Sequence, residues 1–116
     1  LFDIIYSRFV IDAMPLGEEI DLLNRSYNLL KKNGSLFIEC RSIKDRLARE
    51  GEFLSHTERV FGHYRRFIIL EDFIKRLDKA GFVIEFVTEN VIESKGLATF
   101  GDNDPVIIRV RACKKD

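Results

Sequence analysis

The residues best suited to chemistry lie in one short segment, residues 62–67, which reads Gly-His-Tyr-Arg-Arg-Phe. Guanidinium groups bind carboxylates and phosphates through paired hydrogen bonds, and a histidine exchanges a proton near neutral pH. The segment therefore predicts an anion site in which Tyr64, Arg65 and Arg66 hold a substrate and His63 is the candidate base. The plain alternative is that at most one arginine faces a ligand, because adjacent side chains of an extended segment point to opposite sides.

A second polar group, Glu39, Cys40, Arg41 and Ser42, follows an apolar run. A carboxylate at the end of a buried strand is costly to remove from water without a partner. Glu39 is therefore expected either to pair with an arginine of the chain or to meet a cationic ligand. Arg41 joins the predicted substrate-binding residues. Cys40 would need a nearby cation to act as a nucleophile, and the simpler interpretation is a small apolar side chain in a buried strand.

A third group consists of Ser7, Arg8 and Phe9, with Asp12 close behind them. Small and charged residues at the end of a strand are placed to contact a ligand at the edge of a sheet. The plain alternative is an ordinary exit from a strand, in which Asp12 caps a short turn. The residues alone leave both interpretations open.

A predicted strand, helix and strand must position these groups. Residues 2–7 are β-branched and aromatic, which predicts a strand buried on both faces. An apolar stripe over residues 20–30 predicts a helix that ends at Asn33 and Gly34, and residues 35–41 predict the second strand. Strands joined in this way are parallel, and ligands bind beyond their carboxyl ends. Ser7 and Arg8 are therefore expected to share one edge with residues 39–41.

The second half of the chain has fewer regular patterns. Residues 42–64 predict a loop or lid, with a short helix possible over residues 43–49. Helical spacing returns over residues 71–79, and apolar runs predict a third strand at residues 82–87 and a fourth at residues 106–113. Residues 95–105 carry the glycines, Asn and Asp of turns and are too short for a crossover helix. The fourth strand is therefore expected to return antiparallel.

Composition limits the class of protein. The chain has 116 residues, 46% of them hydrophobic, which suits one small domain with one core. Nineteen Lys and Arg balance nineteen Asp and Glu, so no overall positive field attracts a nucleic acid. The sequence has neither a membrane-spanning apolar stretch nor the pattern of a secretion signal. Cys40 and Cys113 form no CxxC pair. We therefore expect a cytoplasmic protein without a metal site.

The order of these motifs resembles the C-terminal half of the class I S-adenosylmethionine-dependent methyltransferases of small molecules. Residues 2–9 read Phe-Asp-Ile-Ile-Tyr-Ser-Arg-Phe, and residues 29–38 read Leu-Leu-Lys-Lys-Asn-Gly-Ser-Leu-Phe-Ile. Residues 77–82 match the family's Leu-x-x-Ala-Gly-Phe signature. The resemblance implies an α/β fold with a partial Rossmann-like sheet. It implies three parallel strands and one antiparallel C-terminal strand, in the order one, two, four, three, with helices packed on the faces.

The same resemblance implies methyl transfer from S-adenosylmethionine to a small anionic acceptor. Ser7, Arg8 and Phe9 would then lie near the methionine end of the cofactor. The acceptor would be held by the arginines and the tyrosine named above, with His63 as the base if one is needed. Asp12 stands where the family more often carries His or Asn, so its role is left open.

The family's glycine-rich loop and its ribose-binding acid have no counterpart in this sequence. The expectation is that residues 1–116 form a single domain equivalent to the C-terminal half of that fold, inactive alone, without the cofactor-binding N-terminal half. The first strand would then be an apolar edge, which invites pairing with a second copy of the chain. Two alternatives stay open: a non-catalytic dimerisation or partner-binding module, and a nucleotide-binding fold of the flavodoxin type.

Overall fold

Two helices and seven strands make up the described part of the chain, which in this computed structural model is residues 1–91 and 105–115. The elements follow the order β1 (Phe2–Arg8), α1 (Leu16–Leu29), β2 (Leu30–Arg41), β3 (Glu52–Phe53), β4 (Glu58–Phe61), β5 (His63–Arg66), α2 (Leu70–Lys79), β6 (Val83–Val91) and β7 (Val106–Cys113). Short 3₁₀ turns, Ile11–Ala13 and Arg46–Arg49, follow β1 and β2. Most of the predicted turn before β7 lies outside the described residues.

The main sheet has the strand order β1-β2-β7-β6. Strand β1 is parallel to β2, whereas β7 runs antiparallel to both of its neighbours. The predicted mixed α/β sheet and its strand order are confirmed, and β1 lies at an edge. In this register Cys40 is opposite Ile108 and Cys113 is opposite Ser35, so the two cysteines lie at opposite ends of β2 and are free thiols.

The predicted total of three parallel strands and one antiparallel strand is wrong for the chain as a whole. Strands β3, β4 and β5 form a second, antiparallel sheet where a loop or lid was expected. The reason is Arg59, which is only 4% exposed. Its guanidinium donates to the carbonyl oxygens of Ala48 and Ser55, both at 2.8 Å, and stacks on the Phe53 ring at 3.5 Å. A hydrophobic pattern counts an arginine as an exposed polar residue, so the burial of Arg59 could not be predicted in this way.

The first helix ends earlier than its sequence pattern indicates. Helix α1 stops at Leu29, and β2 begins at Leu30, whose side chain is fully buried. The predicted stop at Asn33 instead lies inside the long strand, where Asn33 adopts φ 69°. A Cβ on Gly34 would lie 2.8 Å from the carbonyl oxygen of Lys31, so this bend requires glycine. Residues expected to complete the helix therefore extend the sheet.

Both helices pack on the same face of the main sheet, which corrects the expectation that helices cover its faces. Leu23 of α1 and the α2 residues Phe73 and Leu77 belong to one buried core. The sheet contributes the inward side chains Leu36, Ile38, Cys40, Ile108, Val110 and Ala112. On the opposite face, Tyr6 and Phe86 are 58% and 54% exposed. Within residues 1–91 and 105–115, neither helix is long and apolar enough to cross a membrane.

A buried ion cluster joins three elements behind the sheet. Glu19 of α1 is fully buried and accepts hydrogen bonds from Arg66 of β5 at 2.7 Å and from Arg76 of α2. Arg66 also donates to the backbone oxygens of Met14, at 2.9 Å, and Ile11, at 3.3 Å. The guanidinium of Arg66 therefore ties the second sheet to the turn that follows β1.

Replacing Glu19 with Gln is expected to lower the free energy of unfolding by about 3 kcal/mol or more, because two guanidinium groups would lose their shared carboxylate. Urea unfolding measures this change. The matched control is Glu18→Gln, since Glu18 is the exposed neighbour on the same helix. The control is expected to change stability by less than about 0.5 kcal/mol. Equal effects of the two substitutions would contradict the role given to Glu19.

Candidate active site

The carboxyl ends of β1 and β2 lie side by side. Arg8 is in register with Glu39, and the backbone N–H of Phe9 donates to the carbonyl oxygen of Glu39 at 2.8 Å. Just beyond, the backbone N–H of Arg41 donates to Oδ2 of Asp12 at 2.7 Å. The two strand ends and the 3₁₀ turn between them therefore form one continuous edge, as the strand, helix and strand pattern predicts.

Phe9 leaves β1 in a conformation that few residues adopt. Its φ is 56°, the left-handed region, which is uncommon for a residue with a bulky side chain. Two guanidinium groups lie over its ring, that of Arg8 at 5.1 Å and that of Arg41 at 5.8 Å from the ring centroid. Both distances allow attraction between the cations and the face of the ring. Backbone strain of this kind clusters at functional sites.

A cleft of about 170 Å³ separates this edge from the second sheet. One wall carries Phe9, Asp12 and Arg41, and the other carries His63–Arg66 with Phe67. Six of the eight site residues predicted from the sequence therefore line one cavity, and the arginine pair lies across the strand ends. Ser7 and Arg8 are the two that lie elsewhere.

Ser7 and Arg8 point to opposite faces of the sheet, because they are consecutive in a strand. Ser7 is opposite Ile38 on the face that packs against the helices, and it is 7% exposed. Its hydroxyl has no hydrogen-bond partner within the described residues. Arg8 lies on the open face with its Nε 3.7 Å from Glu39. Glu39 also lies 3.3 Å from Arg109, so the structure favours the internal ion pair among the two interpretations that the sequence leaves open.

Two positive groups face the cleft. Nη1 of Arg41 lies 2.9 Å from Asp45, and Nε of Arg65 donates to Nε2 of His63 at 3.1 Å. The pKa of Arg65 is lowered, first because burial removes water from its charge and next because the Arg41 charge is close, and the carboxylates of Asp45 and Asp12 act in the opposite direction. Like charges this near repel each other, so an anion between them would be stabilised.

Arg66 has a different environment from Arg65, its neighbour in the sequence. It is 4% exposed, and its Nε and Nη2 donate inward to Glu19 and to the turn after β1. It borders the cleft while its donors point away from the opening. The alternation of side chains along an extended strand accounts for this difference, as one interpretation of the sequence allows.

The other two polar side chains of β5 also have partners. The hydroxyl of Tyr64 donates to the carboxylate of Glu58, and burial together with this hydrogen bond raises the pKa of Tyr64 to about 12. Tyr64 therefore keeps its proton near neutral pH. His63 is exposed and uses the lone pair of Nε2 to accept from Arg65, which places the ring proton on Nδ1.

Asp12 is the group that sequence reasoning undervalued. Its side chain borders the cleft, and the residue is 9% exposed. Oδ2 accepts a hydrogen bond from the Arg41 backbone, whereas Oδ1 has no hydrogen-bond partner among the described residues. Burial raises the pKa of Asp12 to about 6, against the opposing effects of the backbone N–H groups of Arg41 and of Asp12 itself and of the charges of Arg41 and Arg66. The available signal was an acid in the apolar run Val10-Ile11-Asp12-Ala13-Met14.

Two other kinds of chemistry find no support here. Burial raises the pKa of the Cys40 thiol well above its ordinary value, so Cys40 is a buried apolar side chain and a poor nucleophile. In the part of the chain that the structure describes, no three His, Cys, Asp or Glu residues are grouped to hold a metal ion.

Comparison with solved structures places the fold among the S-adenosylmethionine-dependent methyltransferases. Enzymes of this kind from Mesorhizobium loti and Methanosarcina mazei match with TM-scores of 0.67 and 0.72 at 15% and 16% identity. Each match covers 97% of this chain, which spans 61% and 59% of those two proteins. Comparison with protein-family models and with curated proteins finds no match.

A third similar structure is the 1,6-didemethyltoxoflavin-N1-methyltransferase of Burkholderia thailandensis, crystallised with 1,6-didemethyltoxoflavin and S-adenosylhomocysteine. It has a TM-score of 0.68 and 15% identity, and the match covers 99% of this chain and 44% of that enzyme. The chain therefore has the class I methyltransferase fold over the length that is shared.

The raised pKa of Asp12 predicts a pH-dependent cost to stability. Below about pH 4 the carboxyl is protonated in both the folded and unfolded states. As pH rises to about 6 the unfolded chain loses this proton first, so the free energy of unfolding falls by about 3 kcal/mol and stays lower above. Asp12→Asn has no such proton, so its stability relative to the wild type is expected to increase between pH 4 and pH 8.

Chemical denaturation at the two pH values measures this change. Asp78→Asn, at an exposed position of α2, is the control and is expected to show no comparable change. An equal difference between wild type and Asp12→Asn at both pH values would contradict the burial assigned to this carboxyl.

Proposed function

We propose that this chain belongs to an S-adenosylmethionine-dependent methyltransferase and forms the part that holds a small anionic acceptor. The observation that carries the proposal is the cleft at the ends of β1 and β2, where Arg41 and Arg65 face one cavity in a fold shared with methyltransferases. Ligands of such sheets bind beyond the carboxyl ends of the strands.

The residues at the end of β1 suit one end of the cofactor. S-adenosylmethionine supplies an electrophilic methyl group on a positively charged sulfur and carries a carboxylate on its methionine part. Arg8 and the strained Phe9 would hold that part, since a guanidinium pairs with a carboxylate and an aromatic ring attracts a cation. Ser7 would contribute through the backbone of the strand, because its hydroxyl is buried.

The acceptor would bind between Arg41 and Arg65. An anionic group there relieves the repulsion between the two guanidinium charges and excludes water from a narrow cavity. Tyr64 and His63 would border the acceptor, and Arg66 would hold the wall in place from behind. Methyl transfer from a sulfonium needs chiefly alignment of the acceptor, which two fixed charges provide.

A second candidate function is supported by the open face of the main sheet. Tyr6 and Phe86 are exposed there, and β1 pairs only with β2 among the described strands. Such an edge and face would suit a non-catalytic module that pairs with a second copy of the chain. Calorimetric titration with S-adenosylhomocysteine separates the two functions, because only the methyltransferase binds it.

Replacing Arg65 with Gln is expected to raise the Michaelis constant for a carboxylate-bearing acceptor at least about tenfold, with a smaller change in kcat, because one charged hydrogen bond is lost. The assay follows radioactive methyl transfer by the natural full-length protein to a set of small amines and phenols with and without a carboxylate. Arg65→Lys keeps the charge and is expected to have an intermediate effect.

The control is Arg25→Gln, at an exposed position of α1. It is expected to leave both kinetic constants unchanged. The anion site is refuted if Arg65→Gln affects charged and uncharged acceptors equally.

A further inference from the structure

We propose that Asp12 is the general base of this active site and that its Oδ1 takes the proton of the acceptor as the methyl group is transferred. The inference rests on the proposed function and deepens it. It assigns a catalytic role to a carboxylate that the sequence motifs leave without one.

The geometry around Asp12 leaves one oxygen for this task. Oδ2 accepts from the backbone N–H of Arg41 at 2.7 Å, which fixes the orientation of the carboxyl group. Oδ1 has no hydrogen-bond partner in the described part of the chain, although buried carboxylate oxygens usually have one. The side chain lines the cleft assigned to the acceptor, and Oδ1 itself is buried in the wall of that cleft. A buried carboxylate oxygen that is fixed in orientation and lacks a hydrogen-bond partner favours binding of a proton.

The surroundings of Asp12 also bring the pKa of its carboxyl close to the pH at which a general base would work. Burial disfavours the charged form more strongly than the nearby cations favour it, so the pKa of Asp12 rises to about 6. A general base works best when its pKa lies near the operating pH. The charged and titratable groups that face Asp12 from its neighbouring elements are Cys40, Arg41, Arg65, Arg66, His63 and Glu19.

The reaction step is balanced with the groups already named. A lone pair of the acceptor's nitrogen or oxygen forms a bond to the methyl carbon. The bond from that carbon to sulfur breaks, and its electron pair stays on the sulfur, which becomes neutral. The proton that the acceptor can no longer hold goes to Oδ1 of Asp12 and is later released to water.

His63, the base predicted from the sequence, is less well placed for this step. Its Nε2 lone pair already accepts a hydrogen bond from Arg65, and its other ring nitrogen carries the proton. It would have to break the contact with Arg65 before it could take a proton. Its geometry suits a residue that orients Arg65, and the comparison of variants below separates the two roles.

The first test measures the carboxyl itself. In the natural full-length protein labelled with ¹³C at aspartate side chains, the signal that disappears in Asp12→Asn is expected to titrate near pH 6. The amide oxygen of Asn can still accept from the Arg41 backbone, so this variant preserves that contact. Titration near pH 4 would overturn the assignment of Asp12 and leave the proposed function standing.

The second test measures kcat/KM against pH with an acceptor found in the methyl-transfer assay. For the wild type, kcat/KM is expected to rise about tenfold per pH unit below pH 6 and then to level, because the carboxylate must be unprotonated. Asp12→Asn should lower the plateau by about 100-fold or more and remove this acid limb. Asp12→Glu should restore part of the rate, and His63→Gln should keep the acid limb.

Each outcome decides between the claims. An unchanged plateau and acid limb in Asp12→Asn, or loss of the limb only in His63→Gln, would overturn the role of Asp12. Unchanged binding of S-adenosylhomocysteine by Asp12→Asn shows that the variant is folded and that the loss is chemical. A wild-type protein that neither binds S-adenosylhomocysteine nor transfers a methyl group overturns the proposed function, and this inference with it.

Discussion

The hydrogen bonds of Arg66 hold the candidate active site together. This side chain belongs to the second sheet, yet it donates to the backbone of Ile11, the first residue of the turn that carries Asp12, and of Met14, which follows that turn. Its charge is balanced by Glu19, which is fully buried and also bound to Arg76. Because one guanidinium contacts both walls, the width of the cleft depends on a buried ion cluster. Removing one partner from such a cluster leaves a buried charge uncompensated, which is costly, so the cluster fixes the positions of both walls.

The site combines satisfied and unsatisfied polar groups in a small volume. Arg66 and Glu19 are buried and fully paired, whereas Asp12 keeps one oxygen without a partner. Phe9 adds backbone strain at the same edge. Each of these features lowers the stability that a simpler arrangement would give, and all of them lie around one cleft. Costs of this kind are concentrated where a protein binds and reacts.

Local patterns and the family resemblance together predicted much of the fold. Helix α2 ends at the predicted Lys79 and begins one residue before the predicted start, and the strand order was predicted from the resemblance and is observed. The second sheet was missed because its central strand buries Arg59, whose partners are backbone oxygens that no hydrophobic pattern records. The end of α1 was misplaced because burial of Leu30 in the sheet overrides the helix-stop signal at Asn33. The first error arises from polar contacts that hydrophobicity does not record, and the second from packing of a side chain in the sheet.

The outline of the candidate site was predicted. Its details were missed because they depend on partners that are distant in the sequence. The wall formed by β5 was predicted from the adjacent arginines and the histidine. The opposite wall of the cleft was predicted from the polar residues at the strand ends. The separate roles of Arg65 and Arg66 depend on which of them meets Glu19, 47 residues away from Arg66 in the sequence. The importance of Asp12 depends on its burial beneath Arg41, 29 residues further along the chain. Neither burial nor these partners can be seen in a local motif.

The most direct test of the site is a crystal structure of the natural full-length protein with S-adenosylhomocysteine and a small carboxylate bound. The geometry predicts the carboxylate between Arg41 and Arg65, with Asp12 at the side of the same cavity. A carboxylate seated instead on the open face of the sheet, beside Tyr6 and Arg109, would contradict the location of the active site.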